Sequence, residues 1–414
     1  MEAEKTVVVG GGVVGLCCAL ALQRRGIDTL VIDPAHSPPP ASFGNAGHIA
    51  IEQAEPLASP ATLRSMPRRL ALFGGPVSLP PRHADQWLPF ALRLVRAARP
   101  DRFAAGRAAL GSLLAQAMPA WRRLADSLDP GGLLIEDGHA VVWHDGAAAL
   151  RGLKAWQGTD IGNARFHAAS RDELAWLATA MRTPPAGAVV FENTGQVADP
   201  AMVLAALDDA FRQAGGARRT GLARGLAVRD GRAELVLADG SRLRPPRLVV
   251  AAGVDSGALM ATLGIAAPII AERGYHIQAA AHAWPAGMPP VVFEERSIIV
   301  TRFDSGLRAA GFVEFGRNDA PPDAGKWRRL ERHAADVGLP ATGPWSRWVG
   351  ARPTLPDYLP AIGRVPQARN LAYAFGHQHL GLTLAPLTAE MIAAMLADER
   401  PSVAAAPFDL GRFA

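Results

Sequence analysis

The first thirty-odd residues constrain the fold more than any other stretch. Residues 5–9 form a short apolar run of strand character, and Gly10-Gly11-Gly12-Val13-Val14-Gly15 supplies a G-x-G-x-x-G loop. Residues 14–25 carry apolar side chains at helical spacing until Gly26 stops them, and residues 27–32 read as a second strand ending at Asp33. Strand, glycine loop, helix, strand and acid, in that order within one unit of about thirty residues, specify a dinucleotide-binding βαβ element. Each glycine has its own task. Gly10 permits the tight turn, Gly12 lets the backbone approach a pyrophosphate, and Gly15 allows the helix to pack closely on the strand. The pyrophosphate sits at the helix N-terminus and satisfies its free N–H groups, with Val13 and Val14 among the expected cofactor contacts. Asp33, about twenty residues beyond the last glycine and followed by Pro34, accepts hydrogen bonds from an adenosine ribose.

This reading competes with a signal peptide, because residues 6–22 are uncharged and end in Ala19-Leu20-Ala21. Glu2 and Glu4 spoil a basic leader, and the run is short and glycine-rich for a membrane span. A chain of 414 residues, 49% hydrophobic and 20% charged, calls for two or three domains and excludes disordered or disulfide-stapled classes. The pI of about 9.7 reflects arginine, since Lys5, Lys154 and Lys326 are the only lysines. No Lys/Arg run exceeds two residues and tyrosine is scarce, so nucleic acid is not an expected partner. Cys17 and Cys18 are adjacent, which suits neither an ordinary disulfide nor a metal site, and points to a reducing compartment. No metal site is expected.

The βαβ unit alone leaves FAD and NAD(P) open. Residues 247–253 read as a late strand running into small residues and Gly253, one that returns to the first sheet. Residues 371–375 form another strand, followed by Gly376-His377-Gln378-His379-Leu380-Gly381-Leu382-Thr383 and a helix expected from about 386 to 398 with a proline in its first turn. A second glycine-rich loop feeding a helix N-terminus makes a second region of positive potential. It suits the pyrimidine edge of a flavin, whose N1–C2=O region becomes anionic on reduction. The alternative is a plain helix cap with two surface histidines.

The N-terminal GGGVVG with Asp33, Ser42-Phe43-Gly44-Asn45-Ala46-Gly47-His48-Ile49, the 249–253 strand, Trp348-Val349-Gly350-Ala351-Arg352-Pro353, the 356–363 segment and the GHQHLGLT loop together resemble the FAD-dependent amine and amino-acid oxidoreductases. That superfamily includes D-amino acid oxidase, glycine oxidase and sarcosine oxidase. The SFGNAGHI block is most similar to the bacterial D-amino acid dehydrogenase branch, and within it to enzymes acting on D-proline or D-hydroxyproline. The resemblance implies a mixed α/β (α+β) fold in which a Rossmann-like FAD domain (1–75, 195–265 and 345–414) interleaves with an antiparallel-sheet substrate domain (76–194 and 266–344). Proline-rich stretches at 34–40, 76–81 and 320–322 mark loops or crossings, turns at Asp230-Gly231 and Asp239-Gly240 mark a β-meander, and Asp304-Ser305-Gly306 a hairpin. Ser42, Asn45, Ala46, Gly47, Gly253, Gly376, His377, Leu380, Gly381, Leu382 and Thr383 join the βαβ residues as expected FAD contacts. With neither cysteine near the C-terminal loop, the FAD is expected to be non-covalent.

An amino-acid oxidoreductase must hold the substrate carboxylate and align the α-hydrogen with flavin N5. A bidentate arginine suits the carboxylate. Arg352 is the first candidate, since its Gly-Ala-Arg-Pro block matches the place of a carboxylate-binding arginine in glycine oxidase. His379 falls where that family has a further polar contact, although the residue type differs. Tyr275 and His276 point to opposite sides of a strand, so at most one faces the ligand. Arg308 and His48 complete the candidates, His48 as a neutral imidazole orienting the substrate.

Sarcosine oxidases place a lysine beside the flavin to promote reaction with oxygen, and none of the three lysines here lies in a flavin-facing block. The expectation is therefore a dehydrogenase passing electrons to a quinone or another carrier, with an oxygen-using glycine or sarcosine oxidase and a non-catalytic flavoprotein subunit as alternatives. Residues 87–99 form a helix with Arg93, Arg96 and Arg99 along one stripe and Trp87, Phe90, Leu94 and Val95 opposite. That stripe serves either as a solvated face or as a basic amphipathic surface on anionic lipid. The expected location is the cytoplasm, with peripheral contact to the inner face of the inner membrane as an extension.

Overall fold

The computed structural model describes residues 5–34, 40–128 and 131–414; most of the proline-rich stretch at 34–40, and Glu2 and Glu4, lie outside them. Buried β-branched runs build the smaller of its two principal sheets. Val8 sits between Val31 and Val249, and all three are fully buried, as both faces of a parallel sheet require. The strand order is Ala217–Thr220, Thr29–Asp33, Thr6–Val9, Leu248–Val250, Leu371–Phe375 and Ala361–Arg364. The first five run parallel, and the last is antiparallel to its neighbour.

One face of this sheet is covered by the helices Val13–Arg24 and Gly381–Leu396, which share a core through Leu16, Leu20, Leu384 and Ile392. On the other face Val7 and Ile32 pack with Leu226 and Leu235 of the meander Ala223–Arg229, Arg232–Leu237 and Arg242–Leu243. Its first turn uses Asp230 and Gly231, both at positive φ (52° and 70°), the geometry a two-residue hairpin loop needs.

The larger sheet has nine strands. In order these are Ser346–Thr354, Ile270–Ala279, Gly306–Gly316, Ile298–Phe303, Val291–Phe293, His139–Trp143, Gly187–Phe191 and Phe166–Ala168, with Val77–Ser78 paired to Gly306–Gly316 off the main path. The antiparallel expectation needs correction, because Val291–Phe293 runs parallel to His139–Trp143 and Val77–Ser78 parallel to Gly306–Gly316. Alternating side chains reveal which face of a strand is buried, not the direction of its neighbour. Ser346–Thr354 belongs to this larger sheet, and the chain then crosses to the smaller one at Ala361–Arg364. A bridge between Thr354 and His377 ties the two together.

The last helix begins at Gly381 rather than near 386, so Pro386 lies within it. Its missing N–H leaves the carbonyl of Leu382 without the usual helical donor, and the indole N–H of buried Trp121 donates to that oxygen instead (3.0 Å). The segment Gln378–Leu396 is apolar and long enough to cross a membrane, but most of it is buried within the protein, as a core helix is.

Candidate active site

The loops that follow the five parallel strands of the smaller sheet open onto a cavity of about 610 Å³, where ligands bind on sheets of this type. The glycine loop forms one wall. A Cβ on Gly10, whose φ is 110°, would lie 2.3 Å from the Ala251 carbonyl oxygen, and one on Gly15 would lie 1.9 Å from the Gly10 carbonyl oxygen. No side chain fits at either position. Asp33 accepts a hydrogen bond from the Gly11 N–H (2.8 Å), and Ser42 Oγ accepts from the Val13 N–H at the start of the first helix (3.0 Å).

Of the expected cofactor residues, Gly10, Gly12, Val13, Val14, Asp33, Pro34, Ser42, Asn45, Gly253, His377, Gly381 and Leu382 line the cavity. Gly15, Ala46, Gly47, Gly376, Leu380 and Thr383 do not: Leu380 is core, and Thr383 Oγ1 accepts from the Ala50 N–H (3.0 Å). Two helix N-termini, at Val13 and Gly381, thus meet one cavity, with a carboxylate at the end of the second strand. Gln378 also lines it. Its backbone is left-handed (φ 50°), its Nε2 donates to the Tyr358 carbonyl, and its buried Oε1 has no partner in the protein, leaving an acceptor for a bound group. These features fit FAD: the glycine loop would hold the pyrophosphate, Asp33 the ribose and the C-terminal loop the flavin.

Arg352 reaches the same cavity from the larger sheet. Its guanidinium lies over Gly274 on the neighbouring strand, so close that a Cβ there would sit 2.5 Å from Nη1. Glu272, almost fully buried, stands 3.5 Å from Nη1 and accepts from Thr354 Oγ1 (2.9 Å) and the Tyr358 hydroxyl (3.3 Å). Burial and the Glu272 charge push the Tyr358 phenol well up, so it remains a donor. This network fixes one planar fork at the cavity wall.

The other substrate candidates lie elsewhere. Tyr275 is buried on the opposite side of its strand, edge-on to Trp327, with its hydroxyl accepting from the Asp323 N–H (3.1 Å). His276 takes the nearer side, stacked on Trp348 (4.9 Å between centroids) and bonded through Nδ1 to the Gly44 carbonyl (3.0 Å). Arg308 is a clamp: its guanidinium donates to the carbonyls of Phe43 (3.1 Å) and Asn45 and to Gln278 Oε1 (2.8 Å), and lies over the Phe303 ring. Burial brings its pKa down to about 10, and it has no fork left for a substrate. His379 donates to Gln53 Oε1 (2.5 Å) and does not line the cavity. Burial, with the Arg352 charge, lowers it to about 3 and keeps it neutral.

His48 also lies off the cavity. It donates from Nδ1 to the Gly195 carbonyl (3.2 Å) and meets Glu52 at Nε2 (3.0 Å), with His139 edge-on at 4.4 Å. Ligand-type atoms of His48, Glu52 and His139 lie within 4.8 Å of one another, a grouping that the distance of His139 from the other two in sequence conceals. Burial raises the Glu52 pKa, but the charges of His48 and His139 and the His48 hydrogen bond outweigh it and leave the carboxyl at about 2. None of the three lysines lines the cavity, and both cysteines are buried thiols, Cys18 pushed up by burial to about 12.

The sequence reading missed Trp348, Gln378 and residues 221–223, all of which line the cavity. Gly44 signals the first, since the Trp348 ring comes within 2.3 Å of where a Gly44 Cβ would be. Residues 221–223 follow the strand paired with Thr29–Asp33, a pairing that only the fold reveals.

Comparison with known proteins agrees with this geometry. The chain is 28% identical to the D-amino-acid oxidase of Bradyrhizobium diazoefficiens, over 100% of this chain and 99% of that protein. It is 30% identical to D-amino acid dehydrogenase 2 of Ralstonia nicotianae, over 98% of this chain and 99% of the relative. The crystal structure of glycine oxidase from Geobacillus kaustophilus shares the fold, with a TM-score of 0.72, 20% identity and 99% of each chain covered. The profile of the family described as FAD dependent oxidoreductase (DAO) matches residues 5–395. The chain belongs to this DAO family of FAD-dependent oxidoreductases, enzymes that oxidise amino acids and amines.

Proposed function

We propose that the protein dehydrogenates a small D-amino acid, favouring D-proline or hydroxy-D-proline, and passes the electrons to a quinone or similar carrier rather than to oxygen. Bound FAD supplies the hydride acceptor that turns the amino acid into an imine. The observation that carries the reading is Arg352, the fork held by Glu272 and Gly274 on the wall of the cavity that the glycine loop and both helix N-termini also line. A guanidinium there binds the substrate carboxylate bidentately and sets the α-carbon's position. Buried, neutral histidines such as His377, lowered by burial to about 3, add no competing positive charge. The family relatives named as D-amino acid oxidase and dehydrogenase support the substrate class. The absence of lysine from the cavity lining favours the dehydrogenase side.

Arg352→Lys tests the carboxylate role. Lysine keeps the charge but not the planar fork, so KM for D-proline is expected to rise on the order of 10- to 100-fold with FAD still bound. An unchanged KM would remove Arg352 from the mechanism. The second reading, an oxygen-using glycine or sarcosine oxidase, predicts stoichiometric peroxide in air, whereas the dehydrogenase turns over only with an added acceptor.

A further inference from the structure

The helix Ala84–Ala97 has two apolar faces, and only one of them is used by the core. Phe90 and Leu94 turn inward, where the Phe90 ring meets Phe315 (5.8 Å between centroids). Val95, expected on that buried face, lies outside it. Leu88, Leu92 and Val95, at i, i+4 and i+7, form a second stripe that is 50, 59 and 51% exposed. Arg96 and Arg93 follow on one flank of that stripe, and Arg99 stands at the helix end, before Pro100 opens the next helix. Leu72, in the same stretch of chain, is 85% exposed. A row of exposed branched aliphatics beside cations is what a monomeric surface normally avoids.

The charge distribution makes the row specific. Residues 56–100 hold seven arginines, all exposed, against a single acid, Asp85. This one segment therefore carries six excess positive charges, where the whole chain carries +5, and the rest of the protein is slightly acidic. A second copy of the chain presenting the same face would bring like charges together across a two-fold axis, which disfavours a homodimer there. A fluid anionic surface satisfies both features, because aliphatic side chains enter the boundary of the hydrocarbon while arginines meet lipid phosphates.

We propose that the Leu88–Leu92–Val95 face is a docking surface for an anionic lipid bilayer, on which the enzyme sits peripherally through this helix. The proposal goes beyond the catalytic reading and does not depend on the substrate.

The test is flotation of the FAD-loaded protein with vesicles of pure phosphatidylcholine or of equimolar phosphatidylcholine and phosphatidylglycerol. Binding is expected to the anionic vesicles only and to fall steeply with added salt. Arg93→Gln with Arg96→Gln should each weaken it about fivefold, and Leu88→Ser with Leu92→Ser should abolish it. Turnover with a soluble dye acceptor should stay unchanged in both variants. No flotation with anionic vesicles, equal flotation with neutral ones, or insensitivity to the Leu88/Leu92 changes would overturn the proposal. A wild-type dimer that Leu92→Ser dissociates would overturn it in favour of a second copy. Should either variant fail to retain its flavin spectrum, the lipid and salt dependence of the wild-type protein decide the matter alone.

Discussion

Gly274→Ala moves the Arg352 fork without touching its charge. A Cβ built on Gly274 falls 2.5 Å from Nη1 and 2.6 Å from both Cζ and Nη2 of Arg352. Ordinary contact needs roughly 3.5 Å, so the guanidinium must lift by about 1 Å. The strand itself has little reason to object, because the atoms in the way are the end of a flexible side chain. A misplacement of about 1 Å at a substrate-positioning group costs on the order of a hundredfold in rate, or about 2.7 kcal/mol of transition-state stabilisation. The assay is steady-state turnover of D-proline with a dye acceptor, alongside the FAD-to-protein ratio and the melting temperature. The expected result is a kcat/KM about a hundredfold lower with FAD content unchanged. A kcat/KM close to wild type, in a variant whose Arg352→Lys counterpart is crippled, would refute the claim that the backbone sets the fork's position.

Arg308→Gln should leave the Phe43 and Asn45 carbonyls without their charged donor, lowering stability by about 2–3 kcal/mol and loosening FAD while sparing KM in reloaded enzyme; a rise in KM alone would restore Arg308 as a substrate ligand. Gly15→Ala places a methyl 1.9 Å from the Gly10 carbonyl oxygen, so the protein should purify without FAD, and full loading would contradict the cradle. Stability should fall on acidification below pH 6.5. Burial holds His139, His276 and His377 at about 3 against an ordinary 6.5, so below 6.5 the unfolded chain takes up protons that the folded one refuses. Each contributes up to about 1.4 kcal/mol of loss per pH unit, and Glu52 adds its own loss between 4.5 and 2. Urea midpoints of holoenzyme at pH 7 and 5 measure this, and a flat profile would count against buried neutral imidazoles.

Local patterns carried the cofactor half of the site. The βαβ unit, the late strands and both glycine-rich loops are contiguous in sequence, so their spacing alone placed the first helix N-terminus and Asp33, while the last helix, expected near 386, begins at Gly381. Arg352 was reachable only through family resemblance, since arginines are abundant and nothing local singles it out. What holds its guanidinium in place, Glu272 and Gly274, lies on another strand and depends on register. The same non-locality explains the misplaced candidates. Alternation showed that Tyr275 and His276 face opposite ways but not which side is the cavity. Arg308 looked available because the loop carbonyls it binds are more than two hundred residues away. The last helix started early because Trp121, distant in sequence, supplies the donor that Pro386 lacks.

Anaerobic mixing of the FAD-loaded enzyme with a panel of amino acids, followed by flavin absorbance, tests the central claim most directly. D-proline or hydroxy-D-proline should bleach the flavin within the turnover time, ahead of L-proline, glycine and sarcosine, and the colour should return with a quinone faster than with oxygen. Bleaching by L-amino acids or sarcosine but by no D-amino acid, or by no amino acid at all, would contradict it.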